Sequence, residues 1–201
     1  MKTWITSDWH LGENRFELMG RPFNTTEEHN NTIKERHNSL VHPNDVVIVN
    51  GDAVYQKTPE FLPLVKEFNG KKVLIRGNHD NVFTDEQLSP YFDRIVEDGD
   101  GITATVDGID CWITHYPSQG KADKFNLVGH IHAAWKYQLN MFNVGIDVNC
   151  YYPVAMTRIP FHFTAIKDFY DDDVWVAYNN VNKQYYHNGR GKKSSYFKKS
   201  S

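Results

Sequence analysis

"VVIVNGD", residues 46–52, decides the fold. Val46-Val47-Ile48-Val49 is an unbroken β-branched run, the mark of a strand buried on both faces, and such strands belong to parallel sheets covered by helices. The run stops at Asn50-Gly51-Asp52, polar residues that no buried strand favours. Toward the N-terminus, Trp4 and Ile5 begin a short strand that ends at Ser7-Asp8-Trp9-His10. Thr25-Thr26-Glu27-Glu28 then has capping-box spacing, and Ile33, His37, Leu40 and Val41 recur at helical intervals, which predicts a helix from about 25 to 41, ended by Pro43-Asn44-Asp45. Toward the C-terminus, Thr58-Pro59 opens a second helix, and Gly70 closes it before a strand at 72–75. The sum is a βαβαβ core with helical crossovers, the centre of a layered α/β sheet.

The second half changes character. Ile102–Val106 and Ile109–Thr114 flank Asp107-Gly108, a hairpin signal, and short strands follow near 126–129, 135–139 and 142–145. The predicted architecture is therefore a two-sheet α/β sandwich with flanking helices. A chain of 201 residues, 40% hydrophobic, suffices for one core, so residues 1–187 are expected to form a single domain. Beyond Asp171-Asp172-Asp173 there is no acidic residue, and 188–201 reads as a basic, poorly ordered tail. The net charge of −3 gives no overall pull toward nucleic acid or anionic membrane. No stretch approaches the ~20 apolar residues of a membrane span, and the strand-like N-terminus leaves no room for a signal peptide. Cys111 and Cys150 lie in apolar or aromatic stretches with no second thiol nearby, which suits reduced, buried thiols in a cytoplasmic protein.

Every predicted core strand ends in residues of metal-binding type: Asp8 and His10, then Asp52, then Asn78 and His79, later His115, and then His130 and His132. Open α/β sheets bind ligands at the carboxyl ends of their strands, so these groups should converge along one edge. The pairs Asp8/His10 and His130/His132 skip one residue, so on a continuing strand both members would face the same way. Gly51, Gly77 and Gly129 each precede a candidate ligand and permit sharp turns and close approach. Oxygen and imidazole donors without thiolate suit Mn²⁺, Fe or Zn²⁺, with Ni²⁺ also compatible. Asp8, His10, Asp52, Asn78, His115, His130 and His132 are too many for one catalytic ion, which implies two. Asp52 is then the natural bridging carboxylate.

The stretches Ser7-Asp8-Trp9-His10, Gly51-Asp52, Gly77-Asn78-His79-Asp80, Thr114-His115 and Gly129-His130-Ile131-His132, in that order, resemble the calcineurin-like metallophosphoesterase superfamily. Gly20-Arg21-Pro22-Phe23 and the stretch from Asn143 to Asn149 resemble a compact bacterial and phage branch of it. The resemblance implies that Asp8, His10, Asp52 and His132 hold one metal and that Asp52, Asn78, His115 and His130 hold the other. It also implies that His79 is a catalytic histidine outside the ligand set. The expected activity is hydrolysis of a phosphodiester or phosphomonoester by metal-activated hydroxide, with His79 as general acid. Nucleotides, cyclic nucleotides or oligonucleotide ends are the favoured substrates, and diesters are slightly preferred. A nuclease acting on DNA or RNA shares the chemistry. A non-catalytic scaffold is disfavoured because every catalytic position is filled.

The remaining residues carry weaker expectations. Many protein phosphatases of the superfamily follow Gly-Asp with a further Asp, whereas this chain continues Ala53-Val54-Tyr55-Gln56, which leaves the partner of His79 open. Asp80 could orient His79 or shape the turn. Arg15, Arg21, Arg76, Lys121 and Lys124 lie near motif ends, and Arg21 is the one expected to bind substrate phosphate. His29, His37, His42, His162 and His187 fall outside the pattern and read as surface or helix residues. The basic tail, with Tyr185, Tyr186, Tyr196 and Phe197, could equally track nucleic acid or merely solubilise the chain.

Overall fold

In the computed structural model, which describes residues 1–166 and the strand backbones 176–179 and 184–187, the run from Val46 forms the middle of a five-stranded sheet. Strands β1 (Thr3–Thr6), β2 (Val46–Asn50), β3 (Lys71–Ile75) and β4 (Arg94–Val96) are parallel, and β10 (Val154–Ala155) adds antiparallel to β1, in the order β10-β1-β2-β3-β4. The second sheet comprises β5 (Ile102–Val106), β6 (Ile109–Ile113), β7 (Phe125–Val128), β8 (Tyr137–Gln138) and β9 (Met141–Asn143), ordered β5-β6-β7-β9-β8. Asp107 and Gly108 both have positive φ, as the predicted two-residue hairpin turn requires. Strands β11 (Val176–Asn179) and β12 (Gln184–His187) form an antiparallel pair, while the tail at 188–201 lies outside the described residues.

Strand alternation builds both cores. Val47 and Val49 join Trp4 and Leu74 on one face, packed with Trp9, Ile33, Leu62, Val65 and Phe68. Ile48 joins Ile5 and Ile75 on the other, against Cys111, Ile113, Leu127 and Phe142 of the second sheet. Each fully buried aliphatic side chain contributes about 1.5–3 kcal/mol, and truncating one to alanine between close-packed sheets costs about 2–5 kcal/mol. Asn50, next after Val49, also turns toward the second sheet, and its Nδ2 donates to the Thr114 carbonyl at 2.9 Å.

Among the described residues four α-helices accompany the sheets: α1 (Phe16–Met19), α2 (Thr26–Leu40), α3 (Asp85–Leu88) and α4 (Ile159–Thr164). Thr25 caps α2 by accepting from Glu28 N–H, as its spacing predicts. The second crossover departs from expectation, because Pro59–Glu67 is a 3-10 helix. Pro63 inside it has no N–H and its ring crowds an earlier carbonyl, so an i→i−4 ladder cannot run through. The short strands β4 and β10 gave no sequence signal, having three and two residues. Cys111 is buried, but Cys150, expected to be buried, is exposed at a left-handed turn after Asn149. Both thiols are free.

His29 and His37 do lie on α2, yet both are buried. Nε2 of His37 pairs with the Asn69 carbonyl at 2.9 Å, and its ring packs on Trp9 and Phe68. Burial lowers both imidazoles to about 4, a drop increased at His29 by the Arg21 charge. Because the native pKa lies below the unfolded one, the unfolded chain binds protons that the native state refuses between about pH 6.5 and 4. This stability is complete above pH 6.5 and is lost as pH falls toward 4. Urea melts at pH 7.5 and pH 5 should show a loss on the order of 2 kcal/mol per buried histidine. His37→Gln should flatten that slope; an identical slope would remove His37 as a cause.

Candidate metal centre

Asp8 and His10 follow β1, Asp52 follows β2, Asn78 and His79 follow β3, His115 follows β6, and His130 and His132 follow β7. The predicted reason for their convergence needs correction. Asp8 (φ 62°), His10 (φ 48°), Asp52 (φ 57°), His130 (φ 73°) and His132 (φ 47°) all adopt left-handed backbone, so neither Asp-x-His nor His-x-His continues a strand. Left-handed backbone costs a non-glycine residue roughly 1–2 kcal/mol and persists only where surroundings fix it. Here loop hydrogen bonds fix it: Asp8 N donates to the Gly51 carbonyl at 3.0 Å and His10 N to the Asp52 carbonyl at 2.9 Å. From the second sheet, His130 N donates to both oxygens of Asp8, at 3.0 and 3.1 Å.

The donors gather as expected. Potential ligand atoms of Asp8, His10 and His132 lie within 4.8 Å of one another, as do those of Asp52, His115 and His130, and those of His10, Asp52 and His79. Asp52 stands between the first two groups. Its Oδ2 is 3.4 Å from Nε2 of His10 and 3.4 Å from Nε2 of His115, and its Oδ1 accepts from His79 N at 2.9 Å. Nε2 of His10 and of His115 are buried with no hydrogen-bond partner. Orphaned buried nitrogens are costly unless something else satisfies them. Two lone pairs converging on one carboxylate oxygen are what divalent cations sharing a bridging ligand would satisfy, so the donor set fits such ions. Asn78 Oδ1 lies 2.9 Å from Nδ1 of His130, which brings the amide beside the second group.

Electrostatics reflect the crowding. Burial raises the Asp8 carboxyl and lowers the His10 imidazole. At Asp52 burial is outweighed by the nearby imidazoles, His115 first and then His10, which hold the carboxyl far below its usual range. His115 responds in kind: burial lowers it, but Asp52 and Asp8 raise it to about 9.

Close approach at this point needs glycine. A Cβ on Gly51 would lie 2.2 Å from Nδ1 of His115, and one on Gly77 would lie 2.3 Å from Oδ1 of Asp52. Other partners aim the rings. Nδ1 of His115 pairs with the Asn50 carbonyl at 2.7 Å, and Nδ1 of His132 with Oδ2 of Asp147 at 3.1 Å, so each ring turns Nε2 inward. Asp80 is a turn former, accepting from the backbone N–H groups of Gly77, Asp52 and Ala53. The partner of His79 is Gln56, whose N–H faces Nδ1 at 3.4 Å.

Arg21 is placed differently from its expected role as a phosphate clamp. It is buried, and its five N–H groups meet five acceptors: both oxygens of Asp147, the carbonyls of Asp8 and Trp9, and Nε2 of His29. Arg21 therefore ties the Asp8 loop to the carboxylate that aims His132. Arg76 is also buried, donating to the Asp80 and Phe83 carbonyls. Lys121 sits over Trp112, and Lys124 pairs with Asp110. Sequence reasoning missed Asp147 as an orienting residue. It also missed Glu13, which is fully buried and grips Arg15. Glu13 stands beside the Asp8–His10 motif, but Asp147 is 126 residues from its Arg21 partner, and no local pattern joins them.

The family model for calcineurin-like phosphoesterases matches residues 1–149. The chain is 28% identical over 166 residues to the uncharacterized protein MJ1445 of Methanocaldococcus jannaschii, spanning 79% of this chain and 89% of that one. It is 35% identical over 81 residues to the Gene 66 protein of Mycobacterium phage L5, 39% of each chain. The crystal structure of the protein of unknown function AQ665 from Aquifex aeolicus superposes with a TM-score of 0.64 at 22% identity, covering 80% of this chain and 98% of that one, a likeness of fold.

Asp147→Asn should weaken the aim of His132 and the grip on Arg21 together. Isothermal titration with Mn²⁺ should show about 10–100-fold weaker binding at one of two sites. Unchanged affinity at both would show that Asp147 does not orient the ring. Gly51→Ala should displace His115 and weaken the other site.

Proposed function

The chain belongs to the calcineurin-like phosphoesterase family, and on that premise we propose that it is a binuclear-metal phosphoesterase that hydrolyses phosphodiesters in preference to monoesters. The observation that carries this reading is Asp52 Oδ2 poised 3.4 Å from two otherwise unpartnered imidazole nitrogens, one from each sheet. Asp8, His10, Asp52 and His132 would hold one cation, and Asp52, Asn78, His115 and His130 the other. Mn²⁺ is the first choice for this oxygen and imidazole set. When bound, the cations supply Lewis acidity, lowering the pKa of water and neutralising charge on the phosphoryl oxygens.

The protein's own residues do the rest. His10, His79 and His132 line one groove of about 560 Å³ with Arg15, residues 17–20 of and after α1, and the loop at 131–134, which leaves room for both ester arms of a diester. Gln56 N–H faces Nδ1 of His79, which leaves Nε2 as the nitrogen free to meet a substrate. As the imidazolium, His79 gives its Nε2 proton to the departing ester oxygen while the P–O bond to that oxygen breaks and a bond from the attacking water oxygen to phosphorus forms, and the ring is left as neutral imidazole. The His79 backbone is pinned by its N–H to Oδ1 of Asp52, so the proton donor and the bridging carboxylate are registered to each other. Nucleotides and oligonucleotide ends fit this open groove, and among the described residues no helix is long and apolar enough to cross a membrane.

The test is hydrolysis of bis-p-nitrophenyl phosphate and p-nitrophenyl phosphate with Mn²⁺. The diester should turn over faster. Asp52→Asn should abolish turnover, and His79→Ala should retain both metals and lose about 100-fold or more in kcat. Full activity of His79→Ala would remove that residue from the mechanism, and no metal-stimulated hydrolysis of either ester would overturn the reading.

A further inference from the structure

Arg15 is the only arginine or lysine among the described residues lining the groove beside the metal centre. It also lines an adjoining concavity of about 470 Å³ with Asn14, Phe16, Phe23 and Asn24. Its placement is built. Glu13, fully buried, accepts from Arg15 Nε at 2.9 Å and from Nη2 at 2.7 Å, while its Oε1 also takes the backbone N–H groups of Asn14 and Arg15. The guanidinium lies 4.4 Å over the Tyr55 ring. A fork held on one edge and one face has little freedom left to lose when it binds an anion. Two of its five N–H groups are spent on Glu13, and the side chain, 44% exposed, lines the groove, so the other three are not taken by Glu13. Arg21, by contrast, has none to spare.

The location indicates which part of a substrate Arg15 would meet. Arg15 packs on Tyr55, the Tyr55 ring lies 5.4 Å from the His79 ring, and the His79 ring lies 4.5 Å from that of His10. Along this path His79 stands between the metal ligands and Arg15. A leaving group protonated by His79 therefore extends toward Arg15. We infer that Arg15 anchors an anion subsite for a second phosphate carried by the leaving group, so that preferred substrates are diesters whose departing alcohol bears a further phosphate, as in an oligonucleotide. This rests on the proposed phosphoester hydrolysis at the neighbouring centre. Glu17 also lines the groove and disfavours leaving groups that bring an anion against it.

The decisive comparison uses the Mn²⁺-loaded full chain with dithymidine monophosphate and its 5′-phosphorylated and 3′-phosphorylated forms. One phosphorylated form should exceed the plain dinucleotide in kcat/KM by about 10-fold or more, chiefly through KM. Product analysis should show that its extra phosphate leaves with the alcohol. R15Q should bring the ratio to about one, and R15K, which keeps the pair with Glu13, should retain part of it. Should R15Q fold poorly because Glu13 is left buried and unpaired, the double variant E13Q/R15Q removes both charges. Calorimetric binding of the phosphorothioate-linked dinucleotides, with and without the extra phosphate, should reproduce the same difference without turnover. Equal kcat/KM for all three dinucleotides, or a preference that survives R15Q, would overturn the subsite. If no diester is hydrolysed, the diester reading fails, and the binding comparison still decides the subsite.

Discussion

One carboxylate, that of Asp52, is the point at which three separate chain segments meet. Its Oδ2 faces an imidazole from the end of β1 and another from the end of β6, while its Oδ1 holds the backbone of His79 after β3. The Asp52 backbone is held in turn by Asp80, whose Oδ2 accepts its N–H at 2.7 Å. Moving this carboxylate by even one ångström would disturb both sheets and the His79 backbone together. The surrounding left-handed residues and the close approach at Gly51 and Gly77 follow from the need to bring polar side chains from five strand ends to that point.

The arrangement is expensive for the protein alone. Asp8 and Asp52 are buried near each other, and three imidazole nitrogens, both of His10 and Nε2 of His115, are left without partners. Unsatisfied buried polar atoms cost about 1–3 kcal/mol each, and buried like charges resist ionisation, as the raised Asp8 shows. Cations binding only the folded state would offset these terms, so metal loading and fold stability are linked. The fully satisfied Arg21, with its carboxylate, carbonyl and imidazole acceptors, keeps the cradle in shape.

How much of this was legible in the sequence depended on the distance over which each feature is encoded. The strand at 46–50, the cap at Thr25 and the Asp107-Gly108 hairpin are local, and each appears where the pattern places it. The metal-binding residue types at strand ends were legible because few other roles put histidine and aspartate after buried strands. The backbone that presents them was not, since nothing in Asp-x-His distinguishes an extended pair from a left-handed one. Pro63 is there to be read as a break in the second crossover, but the helix opened by Thr58-Pro59 is predicted from its ends alone. Arg21 was recognised as special for the wrong reason: its motif position is informative, but its partners at Asp147, Asp8 and His29 are set by tertiary packing. The same holds for Glu13, an acidic residue in a polar stretch whose complete burial no composition rule foretells.

The long reach of the Arg21–Asp147 pair, 126 positions, and of the His130 N–H to Asp8, 122 positions, bears on how the molecule comes into being during synthesis. The N-terminal half can form its parallel sheet early, but loop-closure entropy delays contacts of such separation. Until the ribosome has released the chain beyond Asp147, the Asp8 loop lacks both its guanidinium strut and its contact with the second sheet. A nascent chain therefore carries Asp8, His10 and Asp52 without the partners from the second half that complete the cluster, which assembles only after translation has passed Asp147.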